Sequence, residues 1–97
     1  MIEHIVLFQW KPEATPEAID AALEAVRALK EQIPGIIELT CGTNFSDRAK
    51  GYTHGIYVRF TDRAALEAYG PHPIHQEVVQ NHIVPIRAEI LALDYEV

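Results

Sequence analysis

The chain has 97 residues, 48% of them hydrophobic and 23% charged, which is the size and composition of one soluble globular domain rather than a disordered or fibrous segment. Eight Lys and Arg against fourteen Asp and Glu give a net charge of −6, and the basic residues are scattered singly, so neither a nucleic acid nor an anionic membrane surface is expected as partner. No run approaches the roughly 20 apolar residues of a membrane span, the N-terminus lacks a basic leader, and one cysteine, Cys41, leaves no internal disulfide, so the chain reads as cytoplasmic.

Ile2 to Trp10 is β-rich and apolar at both parities, with His4, Val6, Phe8 and Trp10 on one side and Ile5 and Leu7 on the other. Such a strand is covered on both faces. After Lys11-Pro12, Thr15 followed by Pro16 reads as an N-cap with proline at the first helical position, and a helix is expected over Pro16 to Gln32. Its stripe of Ile19, Leu23, Val26, Leu29 and Ile33 packs one face on a sheet.

Pro34-Gly35 ends that helix, Ile36 to Asn44 reads as a second strand, and Phe45 to Gly51 is a polar loop. Cys41 on this strand fits a small hydrophobe better than a nucleophile. Tyr52 to Phe60 alternates as a third strand, with His54, Ile56, Val58 and Phe60 on one face. Thr61-Asp62 caps a short helix through Tyr69, which Gly70 and Pro71 end. A further helix is expected from Pro73 or Ile74 to about His82, and Ile86 to Glu96 supplies the last strand.

The order β-α-β-β-α-β, in one domain over residues 1–97, is that of an α+β, ferredoxin-like sandwich with its helices on one sheet face. The other face, carrying Ile5 and Leu7, needs a second surface, and a second copy of the sheet is the simplest one. A homodimer forming an α/β barrel is therefore expected.

Chemistry concentrates at Tyr69-Gly70-Pro71-His72-Pro73-Ile74-His75, which places two imidazoles and a phenol at a helix start. An imidazole can take a proton from a carbon acid or phenol near neutral pH without a metal, provided that one group fixes its tautomer and another stabilises the developing charge. His75 as base with Tyr69 as donor meets that minimum, and His4 and His54 are expected beneath them on the helix-facing side of the sheet. His72 precedes a proline and can brace the turn. The plain alternative is that His75 and Tyr69 only tie the loop to the sheet. His82 reads as a helix-end residue, and no carboxylate is in phase with His72 and His75 for a zinc site. No glycine-rich phosphate loop occurs.

Gly51-Tyr52-Thr53-His54, Tyr69 followed by His72-Pro73-x-His75, and Asp94-Tyr95, together with a His in the first strand and Pro34 after the first helix, resemble the stress-responsive dimeric α/β-barrel (Dabb) family over essentially the whole chain. The family includes plant stress-induced oligomers and a cofactor-free polyketide cyclase in which a His is the general base and a Tyr orients the substrate. The resemblance implies catalytic roles for His75 and Tyr69 and substrate-binding roles for His4, His54 and His72. Aromatic residues on that cyclase's first helix are replaced by Ala22 and Leu23, so its substrate does not transfer. Plant members imply a Mg2+ site built from backbone carbonyls, here those of Lys30, Ile33 and Ile36; otherwise no cofactor is expected. The function implied is a small-molecule pocket with cyclase- or isomerase-like acid–base chemistry on a carbonyl or polyketide-like compound. Its alternative is a non-catalytic stress-protective oligomer or metabolite-binding protein.

Overall fold

Four strands and three α-helices, in the order β1 (Ile2–Trp10), α1 (Pro16–Gln32), β2 (Ile36–Thr43), β3 (His54–Phe60), α2 (Arg63–Tyr69), α3 (Pro73–Val78) and β4 (Arg87–Glu96), make up the computed structural model, which describes residues 1–97. The sheet runs β2-β3-β1-β4 and is antiparallel throughout, which is the expected ferredoxin-like arrangement. No helix is long and apolar enough to cross a membrane.

Local chemistry sets the boundaries. Thr15 Oγ1 accepts from the Ala18 N–H at 3.1 Å with Pro16 in the first turn, and Asp62 Oδ1 accepts from the Ala65 N–H at 2.9 Å. Gly35, at φ +91°, turns the chain from α1 into β2; a Cβ there would lie 2.7 Å from that of Ala65, so the turn needs glycine twice over.

The helices lie on one sheet face. Ala22, Val26 and Leu29 of α1, with Ile33 just after it, meet Ile2, Val6, Phe8, Ile56, Val58 and Phe60 of β1 and β3 in one buried cluster. Ile2 pairs with Phe60, Val6 with Ile56 and Phe8 with His54, so these residues share the helix-facing side. The other side carries Ile5 and Leu7 beside Leu91, Leu93 and Tyr95 of β4, the last three about half exposed. On that side Glu3 is the one buried charged residue, gripped by Arg59 (Nε to Oε1 at 2.9 Å, Nη2 to Oε1 at 2.5 Å) and by the Tyr57 hydroxyl.

Four expected elements differ in extent, two of them by one residue: β2 stops at Thr43 and β4 starts at Arg87. The third strand starts at His54, not Tyr52, because Thr53 turns its backbone N–H to the Phe8 carbonyl and its own carbonyl to Asn44. The helix expected to run through His82 is α-helical only to Val78, and Val79–Ile83 forms a π-helical turn that closes with the Val84 N–H on the Val79 carbonyl at 2.9 Å. The wider turn ends just before Pro85, and such turns favour functional sites.

Candidate functional site

A cavity of about 310 Å³ lies between the helices and the β1–β4 half of the sheet. Its walls are mostly aliphatic, from Val6, Leu29, Ile56 and Ile83 among others, and the polar side chains in them are His4, Tyr69, His75 and Arg87. The volume sits near the lower end of the range for small-molecule sites, about 300–1,000 Å³.

His75 projects from the first α3 turns. Its Nδ1 lies 2.9 Å from the Gly70 carbonyl, which also accepts from Gln76 Nε2 at 2.7 Å. A carbonyl only accepts, so His75 carries its proton on Nδ1 and keeps the Nε2 lone pair free on a ring that lines the cavity. Burial pushes the His75 pKa down, against the Gly70 hydrogen bond, so the ring is neutral and basic near pH 7.

Tyr69, at the end of α2, is buried among Phe60, His4 and His75, with ring centroids at 5.0, 6.0 and 4.1 Å. Burial pushes its pKa up to about 12, so the phenol keeps its proton and serves as a donor. No buried side-chain nitrogen or oxygen lacks a partner, and the Tyr69 hydroxyl makes no hydrogen bond to protein, so it opens onto the cavity.

His4 comes from the middle of β1, on the helix-facing side. The antiparallel register sets Asp94 of β4 directly across from it, and its Nδ1 bonds to Asp94 Oδ1. An ionised carboxylate only accepts, so His4 Nδ1 carries the proton of this hydrogen bond. Asp94 has a place in this group that sequence reasoning did not give it; the signal was the β1–β4 pairing, which puts residues 4 and 94 opposite once both strands are centred on one another.

The cavity thus gathers His4, Tyr69 and His75. It does not gather His54 or His72, and their expected place in a common pocket is corrected. His54 faces the helix side but at the other end of β1, where Nδ1 accepts from Trp10 Nε1 at 2.8 Å and Nε2 lies 3.4 Å from Thr43 Oγ1. Burial lowers its pKa. His72 is the N-cap of α3, its Nδ1 accepting from the Ile74 N–H at 3.1 Å, which is the turn-bracing role. Ala22 and Leu23 are buried but do not line the cavity, so the pocket shape expected to follow from them is set instead by Val26 and Leu29.

For a cation, no three His, Cys, Asp or Glu side chains are placed to act together. Backbone oxygens are a different donor set. Pro34 has no N–H to give the Lys30 carbonyl, and the Ile33 carbonyl lies past the last helical turn, so both are free of backbone partners at the helix end that favours positive charge. Ile36 follows at the start of β2. The chemistry of these oxygens fits a hard ion such as Mg2+.

The family model described as stress responsive A/B barrel domain matches residues 2–97. A stress-response A/B barrel domain-containing protein of Arabidopsis thaliana is 30% identical over 95 residues, which is 98% of this chain but 36% of that protein, so the chain spans little more than a third of it. Among solved structures, a dimeric ferredoxin-like protein of unknown function from Jannaschia sp. CCS1 is 32% identical with a TM-score of 0.83, covering 99% of this chain and 98% of that one. The hydroxynitrile lyase of Passiflora edulis is 26% identical with a TM-score of 0.88, covering 97% and 90%.

Proposed function

Because the chain belongs to the stress-responsive A/B barrel domain family, we propose that it is a homodimer whose cavity binds a small carbonyl compound and carries out cofactor-independent acid–base chemistry on it. The observation that carries this reading is the convergence of His4, Tyr69 and His75 on one mostly apolar volume, with both imidazoles held through Nδ1 by oxygen acceptors. In the proposed step, His75 Nε2 takes a proton from the carbon beside the carbonyl. The electron pair moves onto the carbonyl oxygen, where the Tyr69 O–H donates to the developing charge, and the proton returns from the imidazolium to the product. The apolar walls keep water from competing.

The likeness to a hydroxynitrile lyase supports acid–base chemistry, since a hydroxynitrile that gives its hydroxyl proton to a base becomes a carbonyl compound as its C–CN bond breaks and cyanide leaves, to be protonated by the conjugate acid. Dimerisation is supported by the Jannaschia relative, described as dimeric, and by the unpartnered apolar sheet face. A Mg2+ ion on the Lys30, Ile33 and Ile36 carbonyls would brace α1 against β2; a melting temperature unmoved by adding Mg2+ or a chelator would dismiss it.

The test is a panel of carbonyl and hydroxylated aromatic compounds screened for turnover and for shifts of the histidine ring signals. His75→Gln is expected to abolish turnover with its melting temperature retained; full activity in that variant sinks the proposal. The second reading, a stress-protective oligomer without chemistry, is favoured by the naming of the plant relative. It predicts that His75→Gln and Tyr69→Phe lower the melting temperature and that no compound in the panel reacts.

A further inference from the structure

The register between β1 and β4 slips at one place. From Ile2↔Glu96 to Gln9↔Glu89 the paired residue numbers sum to 98, but Trp10 pairs with Arg87, so β4 carries an extra residue there. Along the regular part of β4 the helix-facing positions are Ile90, Ala92 and Asp94, across from Phe8, Val6 and His4. Unbroken alternation would bring Ala88 to that side and send Arg87 to the other. The bulge reverses this and sets Arg87 in the cavity wall. Bulges next to sites commonly serve to re-aim one side chain in this way.

Arg87 is half-buried, yet it makes no ion pair and no side-chain hydrogen bond. That is unusual in a chain with fourteen acidic residues, where Arg27, Arg59 and Arg63 each hold a glutamate and Arg48 lies out in the polar β2–β3 loop. A residue whose guanidinium is always charged and presents a planar fork of donors thus lines the mostly aliphatic cavity, with no acidic side chain paired to it.

We propose that Arg87, set in the wall of this cavity by the β4 bulge, anchors the carboxylate of an amphipathic ligand whose apolar body fills the aliphatic chamber beneath His4, Tyr69 and His75. This rests on the cavity reading and narrows its ligand class to small carboxylic acids, aryl or short-chain acyl, with a reacting group distal to the acid. The fork of Arg87 matches a carboxylate two bonds at a time, whereas a neutral amide of the same shape returns only one acceptor.

The experiment compares 3-phenylpropanoate with 3-phenylpropanamide by calorimetry and by the ring signals of His4 and His75, on the intact protein and on Arg87→Gln and Arg87→Lys. The carboxylate is expected to bind about tenfold more tightly than the amide, the preference to vanish in Arg87→Gln and to return in part in Arg87→Lys. If both compounds bind equally to the intact protein, or Arg87→Gln keeps the preference, the anchor is refuted while the cavity stands. If neither moves the ring signals, the cavity reading fails and this proposal with it. If Arg87→Gln instead weakens the dimer in sedimentation equilibrium and leaves the preference intact, Arg87 belongs to the subunit interface and the assignment is overturned.

Discussion

Leu93→Asp is the sharpest perturbation of the unpartnered sheet face. Leu93 sits on that face beside Ile5, with Leu91 next to Leu7, and is 57% exposed in the single chain. Fully burying a leucine side chain is worth about 1.5–3 kcal/mol, so covering the open part of Leu93 contributes about 1–1.5 kcal/mol. A two-fold interface uses each residue twice, which doubles this to about 2–3 kcal/mol and predicts a dimer dissociation constant weakened by about 30- to 150-fold. The two carboxylates placed at the interface add a desolvation cost on top. Sedimentation equilibrium over a concentration series reads the constant directly, with Glu17→Ala on the exposed side of α1 as the control. A Leu93→Asp dimer as tight as the wild type, with its circular dichroism intact, would refute the assignment of this face.

The other predictions concern charge and tautomer. Asp94→Ala removes the acceptor that holds the His4 proton on Nδ1, so the nitrogen shifts of His4 are expected to change towards mixed tautomers; unchanged shifts contradict the pairing. Because burial lowers the His75 pKa, the acid limb of kcat/KM has its midpoint below the ordinary value of 6.5; a midpoint at or above 6.5 contradicts the buried, neutral ring. The same shift makes the folded state bind fewer protons than the unfolded one, so His75 erodes stability as pH drops below 6.5, and His75→Gln flattens that slope in denaturant titrations. Arg59 and the Tyr57 hydroxyl hold the Glu3 carboxyl below its usual 4.5, so its contribution is complete above that value and is lost as pH falls through the lower, folded value. Glu3→Gln therefore lowers the melting temperature at pH 7 and narrows its gap to the wild type at pH 3; an equal gap at both pH values contradicts the ion pair.

Faces were legible in the sequence and positions along them were not. Alternation in Ile2–Trp10 and His54–Phe60 put Val6, Phe8, Ile56, Val58 and Phe60 in the core, because a two-residue period depends only on the pleat. The same alternation put His54 on the helix side, which it occupies, but could not tell which end of β1 it would meet; the register sets it opposite Phe8, four residues from His4, and Trp10 claims its nitrogen. Asp94 and Arg87 were hidden for the same reason. One needs the pairing of strands 90 residues apart in sequence, and the other a bulge that no local pattern announces. The π turn escaped because Val79–Ile83 continues a helix-compatible run that no local residue pattern breaks before Pro85.

The place of the cavity follows from the topology. β4 is an edge strand, and α1 packs towards β2 and α3, so the helix-facing side of β4 is left partly bare, with Ile90 43% exposed and Ala92 open beside it. A core histidine would normally be unfavourable at the centre of β1. Here, next to the bare edge, His4 can take an acid from β4 for one nitrogen and leave the other to the open volume, while the short helices α2 and α3 bring Tyr69 and His75 over it. The uncovered edge thus accounts for both the cavity and the tolerance of proton-carrying groups around it. It also predicts where selectivity can change without harm to the fold: the bare β4 positions 90 and 92, rather than the buried stripe of α1, are the ones whose substitution should alter ligand preference while leaving the melting temperature within a few degrees.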